Sequence, residues 1–347
     1  MREDASKVFA NAVFDKDGTA AALKGKVAVL DSHPSIDPHV PMAHAGYAFP
    51  FELFGSLLTW WHTPHGQAMM LTGPTGSGKT SAILEMAARL HWPVFSCTLH
   101  ERTEFASLRG QWLLQSVKGS AQPEMRFQEG PLIKAMRLGG VLLLNEFDIA
   151  PAGEMSALND IIEGRPLMVP EMGGEVIHPH PNFRVAVTAN TKGQGDESGL
   201  YQGTQQQNVA ALDRYRCLEV GYMPKEIEIQ IVKAVWMSRE GMPENGAEFF
   251  ATKQTQVAEK IRSQFIGVAG CDGSLSVPMS TRCLVHWTEV ACDYRGAPNA
   301  LQRALDEVLL NRASKEDALA IRKIAESVFG PVWTNPAAAA KKAKKKE

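Results

Sequence analysis

A chain of 347 residues, 44% hydrophobic and 21% charged, has room for two domains, each with its own core. Its formal net charge of -2 argues against a generally basic, nucleic-acid-coating surface, and no run approaches the roughly 18 apolar residues of a membrane span. Five cysteines without a C-x-x-C pair, and an N-terminus with charges of both signs and no apolar run, fit a reduced cytoplasmic protein and not a secreted one.

In chain order, residues 1–45 mix short apolar patches with "DKDG" and the proline-rich "SHPSIDPHVPM", which reads as an N-terminal extension leading into a core. Residues 46–223 alternate short buried strands ("AMMLTG", "WPVFSCTL", "VLLL", "FRVAVTAN") with helical stretches such as "SAILEMAARL", where Ile83, Leu84, Ala87 and Leu90 fall at helical spacing. Strand, helix, strand in this rhythm predicts an α/β domain, a parallel sheet covered by helices, with ligands beyond the carboxyl ends of the strands. From "MPKEIEIQIVKAVW" to about residue 330 the apolar spacing is mainly helical, so 224–330 reads as a smaller helical lid domain and the lysine-rich 331–347 as a disordered tail.

"GPTGSGKT", Gly73 to Thr80, follows the first strand and opens the next helix, and it matches G-x-x-x-x-G-K-[ST]. Glycines at this spacing let backbone N–H groups wrap a phosphate chain, and the helix N-terminus adds favourable potential for its charge. Lys79 is placed to reach the β and γ phosphates of ATP and the Thr80 hydroxyl to ligate Mg2+.

"VLLLNEFD" ends a second buried strand, which brings Asn145 and Glu146 to the same phosphate site. The first position ordinarily holds the metal and the second orients the attacking water. Asn145 keeps an amide oxygen but lacks one negative charge, worth roughly 3 kcal/mol at about 5 Å and an effective dielectric of about 20, before solvent and phosphate compensate. Asp148 offers an electrostatic substitute for that charge, but is expected first to cap the helix near "APAGEMSALNDII". Asn190, closing the strand "VTANT", is placed to hydrogen-bond the γ-phosphate or the water. Arg214 and Arg216 in "ALDRYR" fit an arginine that enters a neighbour's site if subunits form a ring, and Arg282 in "MSTRCLVHW" sits where a lid helix folds over the nucleotide.

With these elements in order, the chain resembles the AAA+ ATPases, and within them the MoxR-like group and its cobaltochelatase ATPase subunits. The resemblance rests on "SIDPHVP", "GPTGSGKT", "HWPVFSCTLH", "FQEGPLIKAMRLGGVLLLNEFD", "IHPHPNFRVAVTANTKGQGDESGLYQGTQQQNVAALDRY" and "MSTRCLVHW", and it spans roughly residues 33 to 290. It implies a P-loop NTPase fold with a helical lid. In the phosphate loop it implies Gly73, Pro74, Thr75, Gly76, Ser77, Gly78, Lys79 and Thr80 as nucleotide ligands, with Thr80 and Asn145 toward Mg2+. Glu146 is then the catalytic carboxylate, Asn190 sensor 1, Arg214 the arginine finger and Arg282 sensor 2. It further implies ATP hydrolysis, a hexameric homo-oligomeric ring and a partner protein with a von Willebrand A domain. Asn145 departs from the aspartate usual in the family, which bears on hydrolysis rate more than on nucleotide binding.

Two segments read as hairpins, one around "KGSAQPE" and one around "MGG". His178 and His180 in "HPHP" read as a turn, not a metal site, and "WW" at Trp60 and Trp61 as core. The leading function is an ATP-driven remodelling subunit. A nucleotide-gated assembly module with little hydrolysis, motivated by Asn145, and a nucleic-acid translocase, motivated by the lysine tail, remain as alternatives.

Overall fold

A computed structural model describes residues 1–44, 46–116, 123–193, 195, 201, 203–265 and 273–333. Five strands, β1 (Ala68–Thr72), β2 (Val94–Thr98), β3 (Val141–Asn145), β4 (Arg184–Ala189) and β5 (Tyr215–Glu219), form one parallel sheet in the order β5-β1-β4-β3-β2. Alternate residues of each strand point to opposite faces, and here both faces are covered. Met69, Leu71, Val141, Leu143 and Ala186 pack against α1 (Phe51–His62) and α2 (Lys79–Leu90) through Trp60, Trp61, Ile83 and Met86. Met70, Leu142, Leu144, Val185 and Val187 pack on the other side against Leu132, Ile133 and Met136 of α3 (Pro131–Leu138). This double burial is why "AMML" and "VLLL" are continuously apolar and do not alternate.

Residues 1–44 are packed onto this core. Phe9, Ala12, Val13 and Val27 are buried in the cluster that holds Trp60 and Trp61. Leu30 N donates to Leu90 O (3.0 Å), and His44 N donates to Glu85 Oε2 (2.9 Å), both acceptors being on α2.

After β5 the chain becomes helical: α4 (Lys225–Glu240), α5 (Glu244–Arg262), α6 (Thr281–Asp293), α7 (Ala300–Val308) and α8 (Lys315–Phe329). Their shared core includes Trp236, Phe250, Trp287, Leu305, Ile321 and Trp333. Ser280 starts α6 by accepting from Cys283 N (3.1 Å), and Ser314 starts α8 in the same way from Asp317 N (3.1 Å).

Both expected hairpins are present as strands Gly110–Gln115 with Glu124–Glu129 and Leu167–Val169 with Glu175–Ile177, while the "KGSAQPE" turn lies largely outside the described residues. The lysine-rich tail and most of "GLYQG" also lie outside them. His180 belongs to a turn: its Nδ1 accepts from Asn182 N (3.0 Å) and its ring packs on Gly139. Among the described residues no helix is long and apolar enough to cross a membrane.

Candidate nucleotide site

The sheet register sets the site. Thr72 pairs with Ala189, and Leu144 with Val187, so the carboxyl ends of β1, β3 and β4 lie side by side. The phosphate loop leaves β1, Asn145 closes β3, and Asn190 follows β4.

The loop has little room for side chains. A Cβ on Gly73 (φ +138°) would meet Val220 O at 2.2 Å, and one on Gly76 (φ +76°) would meet Ser280 Oγ at 2.5 Å. Among the described residues the backbone N–H groups of Gly76 and Gly78 have no acceptor, and the buried Ser77 hydroxyl has no partner. Donors left open at a helix N-terminus are the chemistry an anionic phosphate chain satisfies.

Lys79 is buried and uses all three of its N–H donors. Its Nζ donates to Gly73 O (2.7 Å), Pro74 O (3.0 Å) and Asn190 Oδ1 (3.0 Å). Burial lowers its ammonium pKa to about 8, while Glu146 and Asp148 pull it upward and Arg282 pushes it down.

Asn190 joins the phosphate loop to the acidic strand. Its Oδ1 faces the Lys79 ammonium and its Nδ2 donates to Glu146 Oε2 (2.9 Å), an orientation fixed by a donor-only group on one side and a carboxylate on the other. Glu146 adopts φ +57°, the left-handed region, which for a non-glycine residue costs roughly 1–3 kcal/mol and aims the carboxylate out of the strand.

Asn145 Oδ1 accepts from Thr80 Oγ1 (2.9 Å) and Thr188 Oγ1 (3.1 Å). The amide therefore fills an acceptor position that an aspartate would also fill, without its charge. Thr80 spends its proton on Asn145, which leaves its oxygen lone pairs for a cation. Both lone pairs of Asn145 Oδ1 are thus taken, and Thr80 is the oxygen left open to Mg2+, an ion bound through one or two protein oxygens and otherwise through substrate phosphates and water. Among the described residues there is no cluster of three or more His, Cys, Asp or Glu side chains able to hold a metal alone.

Asp148 corrects an expectation. The short helix Ala152–Met155 has Pro151 at its start and no side-chain cap. Asp148, fully buried, instead accepts through Oδ2 from Asn190 N (2.9 Å), Thr191 N (2.8 Å) and Thr191 Oγ1 (2.9 Å), and so holds the end of β4 in place. An acidic residue next to a predicted helix resembles a cap in sequence; only the neighbouring strand reveals the alternative donors.

The two arginines differ. Arg282, exposed in the first turn of α6, lies above the loop with its Cβ 3.7 Å from the Cβ position of Gly76, and it has no ion-pair partner among the described residues. Arg214 is remote. Its carbonyl accepts from Ala68 N at the amino end of β1 (2.9 Å), a strand length of about 16 Å from the loop. Its guanidinium pairs with Glu163 Oε1 (2.7 Å) and Ala210 O (2.8 Å). The fold brings Lys79, Thr80, Asn145, Glu146, Asn190 and Arg282 together and leaves Arg214 on the far edge.

Two features escaped the sequence. Thr188 is the second donor to Asn145, yet within "VAVTAN" it is only a strand residue. A small apolar cluster of Ala48, Met223 and Ile227, flanked by Phe14 and Ile231, lies beside the loop, with Met223 Cε 3.9 Å from the Cβ position of Gly78. It joins the N-terminal segment to the start of the helical region, and no local pattern links those positions.

The five-stranded parallel sheet with its phosphate loop and C-terminal helical region is the fold of the AAA+ P-loop class. The AAA domain (dynein-related subfamily) family model matches residues 68–206, and the CbbQ/NirQ/NorQ C-terminal family model matches residues 234–328. The aerobic cobaltochelatase subunit CobS of a Sinorhizobium species is 32% identical over 256 residues, covering 74% of this chain and 74% of that protein. Protein CbbQ of Hydrogenophilus thermoluteolus is 29% identical over 63% of this chain and 72% of its own length. Protein NorQ of Paracoccus denitrificans is 28% identical over 76% and 86%. The chain belongs to the MoxR-like AAA+ ATPases, the family that includes CobS.

Proposed function

We propose that this chain binds ATP with Mg2+ and hydrolyses it to remodel a partner protein or complex. The observation that carries the reading is the single hydrogen-bonded row Lys79–Asn190–Glu146 beside Thr80–Asn145, at the carboxyl ends of three neighbouring strands. Lys79 and the open amides of the loop bind the phosphates. Thr80 would hold Mg2+, with Asn145 fixing the Thr80 hydroxyl beside it, and the ion would supply charge neutralisation on the phosphate oxygens. Glu146 accepts a proton from, and orients, the attacking water; Asn190 fixes Glu146 against the γ-phosphate; Arg282 lies over the phosphates from the helical side. The apolar cluster of Phe14, Ala48, Met223, Ile227 and Ile231 receives the base.

Arg214 supports a ring. About 16 Å from its own loop and held by Glu163, it fits a role at a neighbour's site, and a homo-oligomeric ring, hexameric by resemblance to the family, supplies that neighbour. We take residues 46–223 and 224–330 as the two domains whose relative motion transmits turnover, with 1–45 as the N-terminal segment. By resemblance, the partner is a von Willebrand A domain protein in the cytoplasm, and one candidate assembly is a cobaltochelatase-like complex in which this chain is the motor.

Asn145 favours a second reading, a ring that assembles on ATP and scarcely hydrolyses it. Purified protein should turn over ATP only with Mg2+, and Lys79→Ala should abolish turnover; activity that survives this change would sink the main reading. The translocase alternative rests on the lysine tail, outside the described residues, and predicts stimulation by DNA or RNA that is lost on removing residues 337–347.

A further inference from the structure

Glu228, in the first turn of α4, is fully buried. Its carboxylate receives both arms of Arg262 from the end of α5: Nη2 to Oε1 at 2.7 Å and Nη1 to Oε2 at 2.9 Å. The same two residues grip the segment before α6. Thr281 Oγ1 donates to Glu228 Oε1 (2.6 Å), and Arg262 Nε donates to Met279 O (2.6 Å). Between these anchors lies Ser280, which packs on Gly76 of the phosphate loop, and directly after them comes Arg282. The ring of Tyr222, at the end of the α/β part, covers the Arg262 guanidinium at 4.5 Å.

Desolvating two charges returns little net stability, so a buried pair is a poor device for holding a helix bundle together. What it supplies is geometry, because a two-armed guanidinium–carboxylate contact fixes distance and orientation at once. Among the described residues, every other side-chain hydrogen bond of this pair goes to the four-residue segment that ends in Arg282. Ile227, next to Glu228, lines the apolar cluster beside the loop, so one turn of helix touches both ends of the nucleotide site.

We propose that Glu228 and Arg262 are positioning residues: they lock Met279–Arg282 over the phosphate loop and so set where Arg282 delivers its charge. This rests on the reading of the site as an ATP site that Arg282 completes.

The test measures affinity for ATP carrying a fluorescent label, with Mg2+, and kcat/KM for ATP, in the full chain. Thr281→Val removes one grip and leaves the ion pair intact; Glu228→Gln removes the charge. Each is made alone and in an Arg282→Ala background, with urea unfolding recorded in parallel. Thr281→Val should weaken ATP binding about five- to tenfold alone and less than about twofold when Arg282 is already absent. Equal losses in both backgrounds would reveal a merely structural role and overturn the proposal, as would unchanged affinity in Thr281→Val. Should Glu228→Gln fail to fold, Thr281→Val decides. A wild-type chain that binds no ATP overturns the site reading and this proposal with it, whereas a wild type that binds ATP beside insensitive variants overturns the proposal alone.

Discussion

Raising the pH from 7 to 9 should weaken ATP binding about tenfold through one side chain. Burial lowers the Lys79 ammonium to about 8 in the nucleotide-free chain. Phosphate oxygens hold its proton more firmly than the two carbonyls and one amide oxygen that accept from it now, so the pKa in the complex is higher. Below pH 8 the lysine is charged in both states and affinity is flat. Above pH 8 the free chain has lost the proton and must recover it on binding, which raises Kd by up to tenfold per pH unit. With a midpoint of about 8, the protonated fraction falls from about nine-tenths at pH 7 to about one-tenth at pH 9, equivalent to about 1.4 kcal/mol. Isothermal titration at pH 9 in two buffers of different ionisation heat should show uptake of nearly one proton per ATP. A Kd constant within twofold from pH 7 to 9, with no proton uptake, would refute the assignment of Lys79 to the phosphates.

Asn145→Asp should lower the Mg2+ concentration for half-maximal turnover while raising kcat less than about fivefold, because the amide already accepts from Thr80 and Thr188; a much larger rise favours the assembly-module reading. Arg214→Ala should leave ATP binding intact and reduce turnover by about 10³- to 10⁵-fold, and mixing it with Glu146→Gln subunits should restore activity, since the mixed ring contains intact sites; mixtures as inactive as their components would contradict a contribution from the neighbour. Asp148→Ala should cost about 1–3 kcal/mol in urea unfolding, because it strands the amides of Asn190 and Thr191 and the Thr191 hydroxyl; a loss within 0.5 kcal/mol, on the order of a surface change, would count against its anchoring role.

Much of the fold was legible because it depends on short-range signals. Continuous apolar runs such as "AMML" and "VLLL" mark strands buried on two faces, and "GPTGSGKT" carries its own mechanism in the spacing of glycine, lysine and threonine. These signals sufficed to predict an α/β fold with a parallel sheet and to bring Lys79, Thr80, Asn145 and Glu146 to one place, while the AAA+ assignment came from resemblance to that family. What escaped depends on partners distant in the chain. Thr188 acts only because β4 lies beside β3. Asp148 holds residues 42 and 43 positions away, and Glu228 meets Arg262 and Thr281 across 34 and 53 positions. The apolar cluster of Phe14, Ala48 and Met223 likewise exists only after the N-terminal segment has packed against the start of α4. Such pairings leave no periodicity in the sequence, because each residue is locally an ordinary member of its own strand, turn or helix.

On the proposed reading this site turns ATP over and does not merely hold it. The direct measurement is steady-state ATP hydrolysis by the wild-type chain and by Glu146→Gln, with ATP affinity determined on the same preparations. The wild type should show Mg2+-dependent turnover, and Glu146→Gln should lose turnover by at least about a hundredfold with ATP affinity retained. A wild type that binds ATP tightly but releases no phosphate, or a Glu146→Gln chain that turns over as fast as the wild type, would contradict it.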